Sequence, residues 1–375
     1  MSKIVYVVAE DHRFASHFLP IAREAIRLGF DVTVVTSVRD HANMIEATGA
    51  RVLPLDIPLR SHNPKSIFNA VRRLVTVFKT ERPAIVHCIG LGPILLGGLA
   101  AAVAKVHSRV YAVTGWGYTA VRRDVIGGIA RASLRVLVMG PLRSASTAFL
   151  FENDDDPLVL GLDPQDENVT IVGGAGIDLD AYPVQPLPET KTLRIALVTR
   201  FVWLRGIDTA IKAVHLARGR GADVELSLFG FPDPGDPGNI TASTLRVWSA
   251  GSGVTWHGAA TDIQAVWRDH HVACLPSRGG EGLPRTLLES AASGRLSLTT
   301  DVAGCRKFVR HNVDGYVLPV DDIVAFADVM VALAVDRERV RSMGLLAAER
   351  VRHGFTIADV SSAVGALYLR LNANY

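Results

Sequence analysis

Short apolar runs rich in β-branched residues alternate with amphipathic segments along nearly the whole chain. In the first half, runs such as KIVYVV, DVTVVT and AIVHC are separated by segments of helical periodicity. Continuous apolar strands separated by helices predict a parallel sheet covered on both faces. The alternation pauses after residue 172 and begins again at LRIALVT, so the sequence predicts two doubly wound α/β domains in tandem.

Glycines and prolines mark the boundary between the two series. We predict an N-terminal Rossmann-like domain over 1–172, a linker over 173–190 and a second Rossmann-like domain over 191–355. Residues 356–375 are expected to form a helix that packs back on the first domain. Ligands of such sheets bind beyond the carboxyl ends of the strands, so the site is expected in a cleft between the domains.

Several classes of protein are excluded by simple patterns. No stretch approaches the ~18 uninterrupted apolar residues of a membrane span, and the N-terminus MSKIVYVVAEDH becomes acidic too early for a signal peptide. We therefore expect a cytoplasmic protein. Cys88, Cys274 and Cys305 stand far apart without a CxxC pair, which favours neither a disulfide framework nor a zinc site.

Charge is distributed unevenly along the chain. Residues 1–150 carry a net charge of +10 and the remainder −7. A basic half suits nucleic acid, an anionic membrane or a phosphorylated substrate, but no helix-turn-helix or stacking-aromatic pattern supports nucleic acid. The segment around Ser66–Thr80 predicts a basic amphipathic helix, which either packs on the core with a solvated face or lies on a membrane surface.

The stretch EGLPRTLLES places two carboxylates eight positions apart after a glycine-rich loop. Pro284 is expected as the first residue of a helix, which leaves Glu281 on the loop and puts Glu289 within the helix. Backbone N–H groups at Gly282 and the helix dipole suit a phosphate. The carboxylates could then bind hydroxyl groups on either side of it, as in a nucleotide sugar. The alternative is an acidic helix start followed by a solvated glutamate.

A second feature, LVTRFVWLRG, places two arginines at another strand-to-helix turn of the same domain. Arg200 and Arg205 could hold a diphosphate through charge-assisted hydrogen bonds. Such a pair could also be ordinary surface arginines. Because both features lie at strand-to-helix turns of one sheet, they could converge on one ligand.

These residues carry a family resemblance. TRFVWLRG, PSRGGEGLPRTLLESAASG and the linker GAGIDLDAY resemble the donor half of the retaining nucleotide-sugar glycosyltransferases of family 4, with Glu281 and Glu289 in the positions of the family's E-x7-E motif. The likeness covers most of the chain. It extends to the subgroup similar to bacterial enzymes that lengthen undecaprenyl-diphosphate-linked saccharides.

The resemblance implies the GT-B fold, in which two Rossmann-like domains face a central cleft, and a UDP-sugar as co-substrate with no metal and no other cofactor. Glu281 would then bind hydroxyls of the donor sugar and Glu289 those of the ribose, while Arg200 and Arg205 would bind the diphosphate. The remaining donor-binding residues implied are Gly282, Leu283, Pro284, Gly230 and His257. The family usually has Lys at the position of Arg205, and a planar guanidinium there allows a shifted diphosphate or an altered donor.

Acceptor binding is implied for four residues of the first domain: His17, Asn63, Thr114 and Gly115. His17 is expected at the start of the first helix, where it could also be a simple helix-start residue. Asn63 precedes Pro64 and could merely end a turn.

Asp154 and Asp156 match the DxD motif, which binds a divalent metal in another glycosyltransferase fold. Their setting after a strand and before an apolar segment instead favours a helix start.

The sequence thus predicts a retaining enzyme that moves a hexose or N-acetylhexosamine from UDP to a polyisoprenyl-diphosphate-linked saccharide. It is expected to associate peripherally with the inner face of the cell membrane and to bind no nucleic acid. Alternatives are a GT-B transferase with a soluble acceptor and a catalytically weak nucleotide-sugar-binding subunit.

Overall fold

The computed structural model of the chain describes residues 1–56, 63–122 and 124–373. The chain forms two compact units, one of them Met1–Gly176 together with the C-terminal helix from Ile357, and the other Ile177–Thr356. Each unit is built around a sheet whose described strands all run parallel. The prediction of two doubly wound, Rossmann-like domains is therefore confirmed.

Strands of the first unit are apolar and buried on both faces, as expected for a sheet covered by helices. They are β1 (Lys3–Glu10), β2 (Asp31–Ser37), β3 (Arg51–Pro54), β4 (Ile85–Ile89), β5 (Ser108–Val113), β6 (Thr147–Phe151) and β7 (Val169–Ile171). Their spatial order is β3-β2-β1-β4-β5-β6-β7. Val5 of β1 lies opposite Thr33 on one side and Val86 on the other, so the strand order reverses between β1 and β4.

Helices cover both faces of this sheet. They are α1 (Asp11–His17), α2 (Leu19–Arg27), α3 (Ala42–Glu46), α4 (Pro64–Glu81), α5 (Leu91–Val103), α6 (Tyr118–Val121), α7 (Val125–Met139) and α8 (Asp156–Leu160). Buried side chains of α1, α2 and α3 belong to one hydrophobic cluster, and those of α4, α5, α7 and α8 belong to another.

The second unit repeats this construction. Its strands are β8 (Leu193–Val198), β9 (Val224–Phe229), β10 (Val254–Gly258), β11 (Val272–Leu275), β12 (Leu296–Thr300) and β13 (Gly315–Leu318). Its helices are α9 (Ile207–Gly219), α10 (Ala242–Trp248), α11 (Ile263–Asp269), α12 (Arg285–Ala292), α13 (Ala303–Phe308), α14 (Ile323–Val335) and α15 (Arg337–Val351). The strand order β10-β9-β8-β11-β12-β13 reverses between β8 and β11, where ligands of such sheets bind.

The last helix, α16 (Ile357–Ala373), returns to the first unit. Its Tyr368 is fully buried, and the Tyr368 hydroxyl lies 2.8 Å from the Tyr6 hydroxyl of β1 and 2.7 Å from Nδ1 of His87 in β4. This polar chain inside an apolar core fixes where the helix docks, because each of its groups needs a partner when water is excluded.

The segment predicted as a linker is largely bound to the second unit. The buried guanidinium of Arg295 donates to the carbonyl oxygens of Gln185 and Pro186, both at 2.8 Å. Nε2 of His271 lies 3.0 Å from the carbonyl oxygen of Pro188. These bonds anchor the chain that leads into β8.

One helix prediction needs correction. His17 was expected at the start of the first helix, but α1 ends at His17 and α2 begins at Leu19. Pro20 is the cause, because its missing N–H cannot continue the hydrogen bonding of α1 and its fixed φ suits the first turn of a new helix. His17 is therefore a C-terminal helix residue.

Candidate functional site

The residues singled out in the second domain lie beyond the carboxyl ends of neighbouring strands. Arg205 follows β8 in a single 3-10 turn, Trp203–Arg205, and Glu281 lies on the loop between β11 and α12. Because β8 and β11 pair side by side at the reversal of strand order, the two loops emerge next to each other. The sheet therefore brings together side chains that are 76 positions apart in the sequence.

Arg205 and Glu281 form an ion pair. Nη1 of Arg205 contacts Oε2 of Glu281, and each side chain is only 14% exposed. The Ser277 hydroxyl donates to Oε1 of Glu281 at 2.7 Å. The Nε–H of Arg205 is buried and meets no hydrogen-bond acceptor within the described part of the chain. Ser277 thus orients the carboxylate of Glu281, and the neighbouring Arg205 guanidinium keeps one N–H for a ligand.

The two loops are packed together at backbone level. The N–H of Arg278 donates to the Leu204 carbonyl at 2.7 Å. Gly206 has φ +64°, and a Cβ at this position would collide with the carbonyl oxygen of Pro276. A glycine is needed here for both reasons, so this close approach fixes the position of Arg205 relative to the loop of Glu281.

Arg278 was not predicted as a site residue, yet its guanidinium joins four segments. Its Nε donates to Asp321 at 2.8 Å, its Nη2 donates to Asp208 at 2.9 Å, and its Nη1 donates to the Trp203 carbonyl at 2.6 Å. Its guanidinium also lies over the Trp203 ring, 4.6 Å from the centroid. The side chain is almost fully buried. In the sequence, the feature that could have identified Arg278 is its position within the glycine-rich loop PSRGGEG.

Glu289 lies in α12 as predicted, and it is buried. Nε of Arg285 donates to its Oε1 at 2.8 Å, and the Tyr182 hydroxyl donates to the same oxygen at 3.3 Å. Burial raises the pKa of Glu289, while Arg285 and Tyr182 oppose that rise. The alternative of a solvated helix glutamate is wrong for this position.

The start of α12 differs from the prediction by one residue. Pro284 is the N-cap, with φ −65° and ψ 120°, and the helix begins at Arg285. The extended ψ takes Pro284 out of the helix, although its φ would suit the first helical position. Leu283 and Gly282 precede it and are buried. Gly304, in α13, lies against the Gly282 carbonyl so closely that a Cβ would collide with it.

Arg200 has a different environment from Arg205. Its Nη1 donates to Asp233 at 2.6 Å, and its side chain is 42% exposed. Asp233 follows β9, which pairs with β8. In this structure each of the two predicted diphosphate ligands thus has a carboxylate as its partner.

Gly230 and His257 lie along the same edge of the sheet. Gly230 follows β9, and its carbonyl accepts a hydrogen bond from Nε1 of Trp256 at 3.0 Å. His257, in β10, is exposed and stacks on the Phe229 ring with centroids 4.8 Å apart. The structure thus provides a flat aromatic surface on β9, which neighbours β8, and on β10 beyond it.

In the first unit, two of the four predicted acceptor residues share a pocket. His17, at the end of α1, and Thr114, after β5, line it together with Glu152 and Gly174. His17 is half-buried, and its Nδ1 lies 2.5 Å from the Ser16 hydroxyl. The position of His17 in the helix did not predict that it would line a pocket with Thr114.

The other two acceptor candidates do not line this pocket. Asn63 is the N-cap of α4, where its side chain accepts from the Lys65 N–H at 3.0 Å. That contact accounts for Asn63 as a capping residue. Gly115 follows Thr114 with φ +125°.

The DxD pattern lies at a helix start. Asp156 is in the first turn of α8, buried, and accepts from Nδ2 of Asn153 at 2.9 Å. Burial raises the pKa of Asp156 to about 6. No group of three or more His, Cys, Asp or Glu side chains able to hold a metal is found in residues 1–56, 63–122 and 124–373.

Two family models match the two halves of the chain. Residues 3–138 match the model described as glycosyl transferase 4-like, and residues 192–336 match that described as glycosyl transferases group 1. The second match contains Arg200, Arg205, Glu281 and Glu289.

Curated relatives are similar at low identity. One is the N,N'-diacetylbacillosaminyl-diphospho-undecaprenol alpha-1,3-N-acetylgalactosaminyltransferase of Campylobacter jejuni, 22% identical over 80% of this chain and 81% of the relative. Another is the GDP-mannose-dependent alpha-(1-6)-phosphatidylinositol monomannoside mannosyltransferase of Mycobacterium tuberculosis, 27% identical over 47% of this chain and 49% of that protein. The chain thus spans about half the length of the mycobacterial relative.

Solved structures agree with the fold. The structure of Anabaena Alr3699/HepE in complex with UDP and glucose superimposes with a TM-score of 0.79, covering 98% of this chain and 100% of that one at 13% identity. A glycosyltransferase from Rickettsia africae gives a TM-score of 0.77, with 14% identity over 100% of this chain and 99% of the other. Together with the two family matches and the two Rossmann-like sheets, these findings show that the chain belongs to the glycosyltransferases of the GT-B fold.

Proposed function

We propose that the enzyme moves a hexose or N-acetylhexosamine from a UDP-sugar to a polyisoprenyl-diphosphate-linked saccharide, with retention of anomeric configuration and without a metal. The observation that carries the proposal is the Arg205–Glu281 pair at the reversal of strand order in the second sheet. A nucleotide sugar carries a diphosphate next to a hexose. A cation would bind the diphosphate, and an adjacent carboxylate would bind the hydroxyls of the hexose.

The diphosphate would bind between the loops after β8 and β11. Among the residues that the structure describes, the buried Nε–H of Arg205 has no acceptor, and leaving such a donor unpaired costs ~1–3 kcal/mol. A phosphate oxygen that turns the guanidinium toward itself would satisfy this donor. Arg200, whose side chain is exposed, would exchange the carboxylate of Asp233 for the second phosphate, and the N-terminus of α12 would add its dipole.

The rest of the donor would lie on either side of these phosphates. Glu281, oriented by Ser277, would accept hydrogen bonds from hydroxyls of the sugar. Glu289 would accept from ribose hydroxyls, and because it is buried such a bond would be strong. The base would lie toward Gly230 and the Phe229–His257 stack. UDP as the nucleotide accords with the Anabaena structure, which is a complex with UDP and glucose.

The chemistry needs little from the protein beyond charge and position. The bond between C1 of the sugar and the phosphate oxygen breaks, and its electron pair goes to the leaving diphosphate. The acceptor hydroxyl forms the new bond to C1 on the same face, and its proton passes to the leaving phosphate oxygen. Arg200 and Arg205 would stabilise the charge that grows on the diphosphate, which is electrostatic catalysis. These residues and α12 supply the positive charge, so the proposal includes neither a metal nor a further cofactor.

The acceptor would be bound by the first unit and presented at a membrane. The Campylobacter relative is named for an undecaprenol-diphospho acceptor, and the first 150 residues here carry a net charge of +10. His17 and Thr114 line one pocket, and their side chains could form hydrogen bonds with a saccharide hydroxyl. On these grounds we propose that the enzyme works at the inner face of the cell membrane, in the assembly of a bacterial surface polysaccharide or glycan.

A transfer assay tests the proposal. The purified full chain is incubated with radiolabelled UDP-sugars and lipid-linked saccharides in detergent, and label is counted in the organic phase. Transfer with the wild type, and loss of roughly a hundredfold or more in Arg205→Ala, would support it. Transfer only to water-soluble saccharides would overturn the acceptor class, whereas binding of UDP-sugar with neither transfer nor hydrolysis would mean a binding subunit.

A further inference from the structure

The apolar stripe that the sequence predicted on α4 is used inside the first unit. Leu74 and Phe78 are buried, and Val71 and Val75 pack against the same cluster. The alternative of a core-packing helix with a solvated basic face is therefore correct for α4. These four side chains are therefore not available to a membrane surface.

Helix α7 has exposed apolar side chains. Five large apolar residues on it are between 45% and 78% exposed: Val125, Ile126, Ile129, Val136 and Leu137. Gly127, Leu134 and Val138 of the same helix are buried. Single exposed apolar residues are ordinary, but five on the outer side of one helix form a patch of the kind that marks an interaction surface.

Helix α7 carries its own positive charge. Its sequence VIGGIARASLRVLVM contains Arg131 and Arg135 and no acidic residue. The first 150 residues, which include α7, carry a net charge of +10. At the start of α7, Asp124 pairs with Arg122 at 2.8 Å.

We propose that the outer face of α7, defined by Val125, Ile126, Ile129, Val136 and Leu137, is the surface by which the protein docks on an anionic lipid bilayer. An interfacial helix inserts apolar side chains while neighbouring cations attract the headgroups. Two copies of this face would bring like charges together, which disfavours a second copy as the occupant. The inference rests on the proposed function in that a lipid-linked acceptor gives the surface its use.

Vesicle co-sedimentation of the full chain tests this surface. Vesicles of phosphatidylcholine alone are compared with vesicles containing phosphatidylglycerol. The wild type is expected to sediment with the anionic vesicles and much less with the neutral ones. The change Ile126→Glu/Ile129→Glu should weaken sedimentation roughly tenfold or more, because two apolar side chains no longer leave water.

The matched control is Val247→Glu/Val335→Glu, which changes two side chains that are 74% and 84% exposed in the second unit. It should sediment like the wild type. Circular dichroism melting checks the fold of each variant, and Val136→Ser/Leu137→Ser is the replacement if the first variant unfolds. Binding of UDP is measured alongside, so that failure of the docking surface is distinguished from failure of the donor site.

Three results would overturn the proposal: no sedimentation of the wild type with anionic vesicles, equal sedimentation of the folded α7 variants and the wild type, or a wild-type dimer in light scattering that the α7 change splits. The third result would show that a second copy covers the patch.

Discussion

Arg205 of the loop after β8 and Glu281 of the loop after β11 are bonded to each other, and both side chains are largely out of solvent. The pair joins the cation proposed for the diphosphate to the carboxylate proposed for the sugar. Donor binding must therefore redistribute the hydrogen bonds of this pair, which couples recognition of the two ends of the donor.

Glu281→Gln is expected to lower transfer by about a hundredfold or more, because the carboxylate that would bind the sugar hydroxyls is lost. It should also lower the free energy of unfolding by about 3 kcal/mol, since the charge of Arg205 is left without its partner. Denaturant unfolding and transfer rates measure the two effects. The control is Glu338→Gln, which changes an exposed surface pair. It should lower neither the transfer rate nor the free energy of unfolding. Near-normal transfer by a folded Glu281→Gln enzyme would remove Glu281 from the site.

Arg278→Lys is expected to lower kcat by roughly tenfold to a hundredfold. A lysine keeps the charge but cannot donate at once to Asp208, Asp321 and the Trp203 carbonyl. Arg278 acts through the loops that it joins, so Asp321→Asn should change kcat in the same direction by a smaller factor. Steady-state kinetics would contradict a positioning role if Arg278→Lys raised only the KM for the acceptor.

Gly304→Ala is expected to impair donor binding and stability together, because the new methyl group would collide with the Gly282 carbonyl. We expect a loss of 1–3 kcal/mol, of the order seen when extra methylene groups are forced into a packed site. Gly128→Ala in α7 is the matched control, since nothing lies within 4 Å of its added Cβ. The control should be neutral or stabilising by up to ~1 kcal/mol. Equal melting temperatures for Gly304→Ala and the wild type would be the contrary result.

His271 predicts a pH dependence of stability. The Arg194 N–H donates to its Nδ1 at 3.0 Å, so Nε2 carries the proton that is donated to Pro188. Burial lowers the pKa of His271 to about 4. A depressed folded pKa stabilises the fold above the unfolded value near 6.5, and this stabilisation, about 3 kcal/mol, is lost as the pH falls from 6.5 through 4.

Urea unfolding at pH 7.5 and pH 4.5 measures this effect. His271→Gln should lose less stability between the two pH values than the wild type does. His353→Gln, which changes an exposed histidine, should behave like the wild type. If all three proteins lost equal stability, His271 would not be the titrating group.

The sequence was sufficient for the features that depend on local patterning. Continuous apolar strands and intervening helices predict both sheets, and the glycine-rich loop before Pro284 separates Glu281 from the helical Glu289. Long-range contacts were not predictable in this way. The role of Arg278 depends on Asp208 and Asp321, which lie 70 and 43 positions away. The exposure of α7 likewise depends on which neighbours cover it, and its apolar composition alone does not reveal that.

Titration calorimetry of UDP into the wild type, Arg200→Ala and Asp233→Ala tests the central claim most directly. Arg200 is 42% exposed and pairs with the half-buried Asp233. A pair this close to solvent contributes about 0–1 kcal/mol, so Arg200→Ala should stay folded. The account predicts saturable UDP binding by the wild type, affinity at least ~10-fold weaker in Arg200→Ala, and undiminished affinity in Asp233→Ala. No UDP binding by the wild type, or equal affinity in Arg200→Ala, would contradict it.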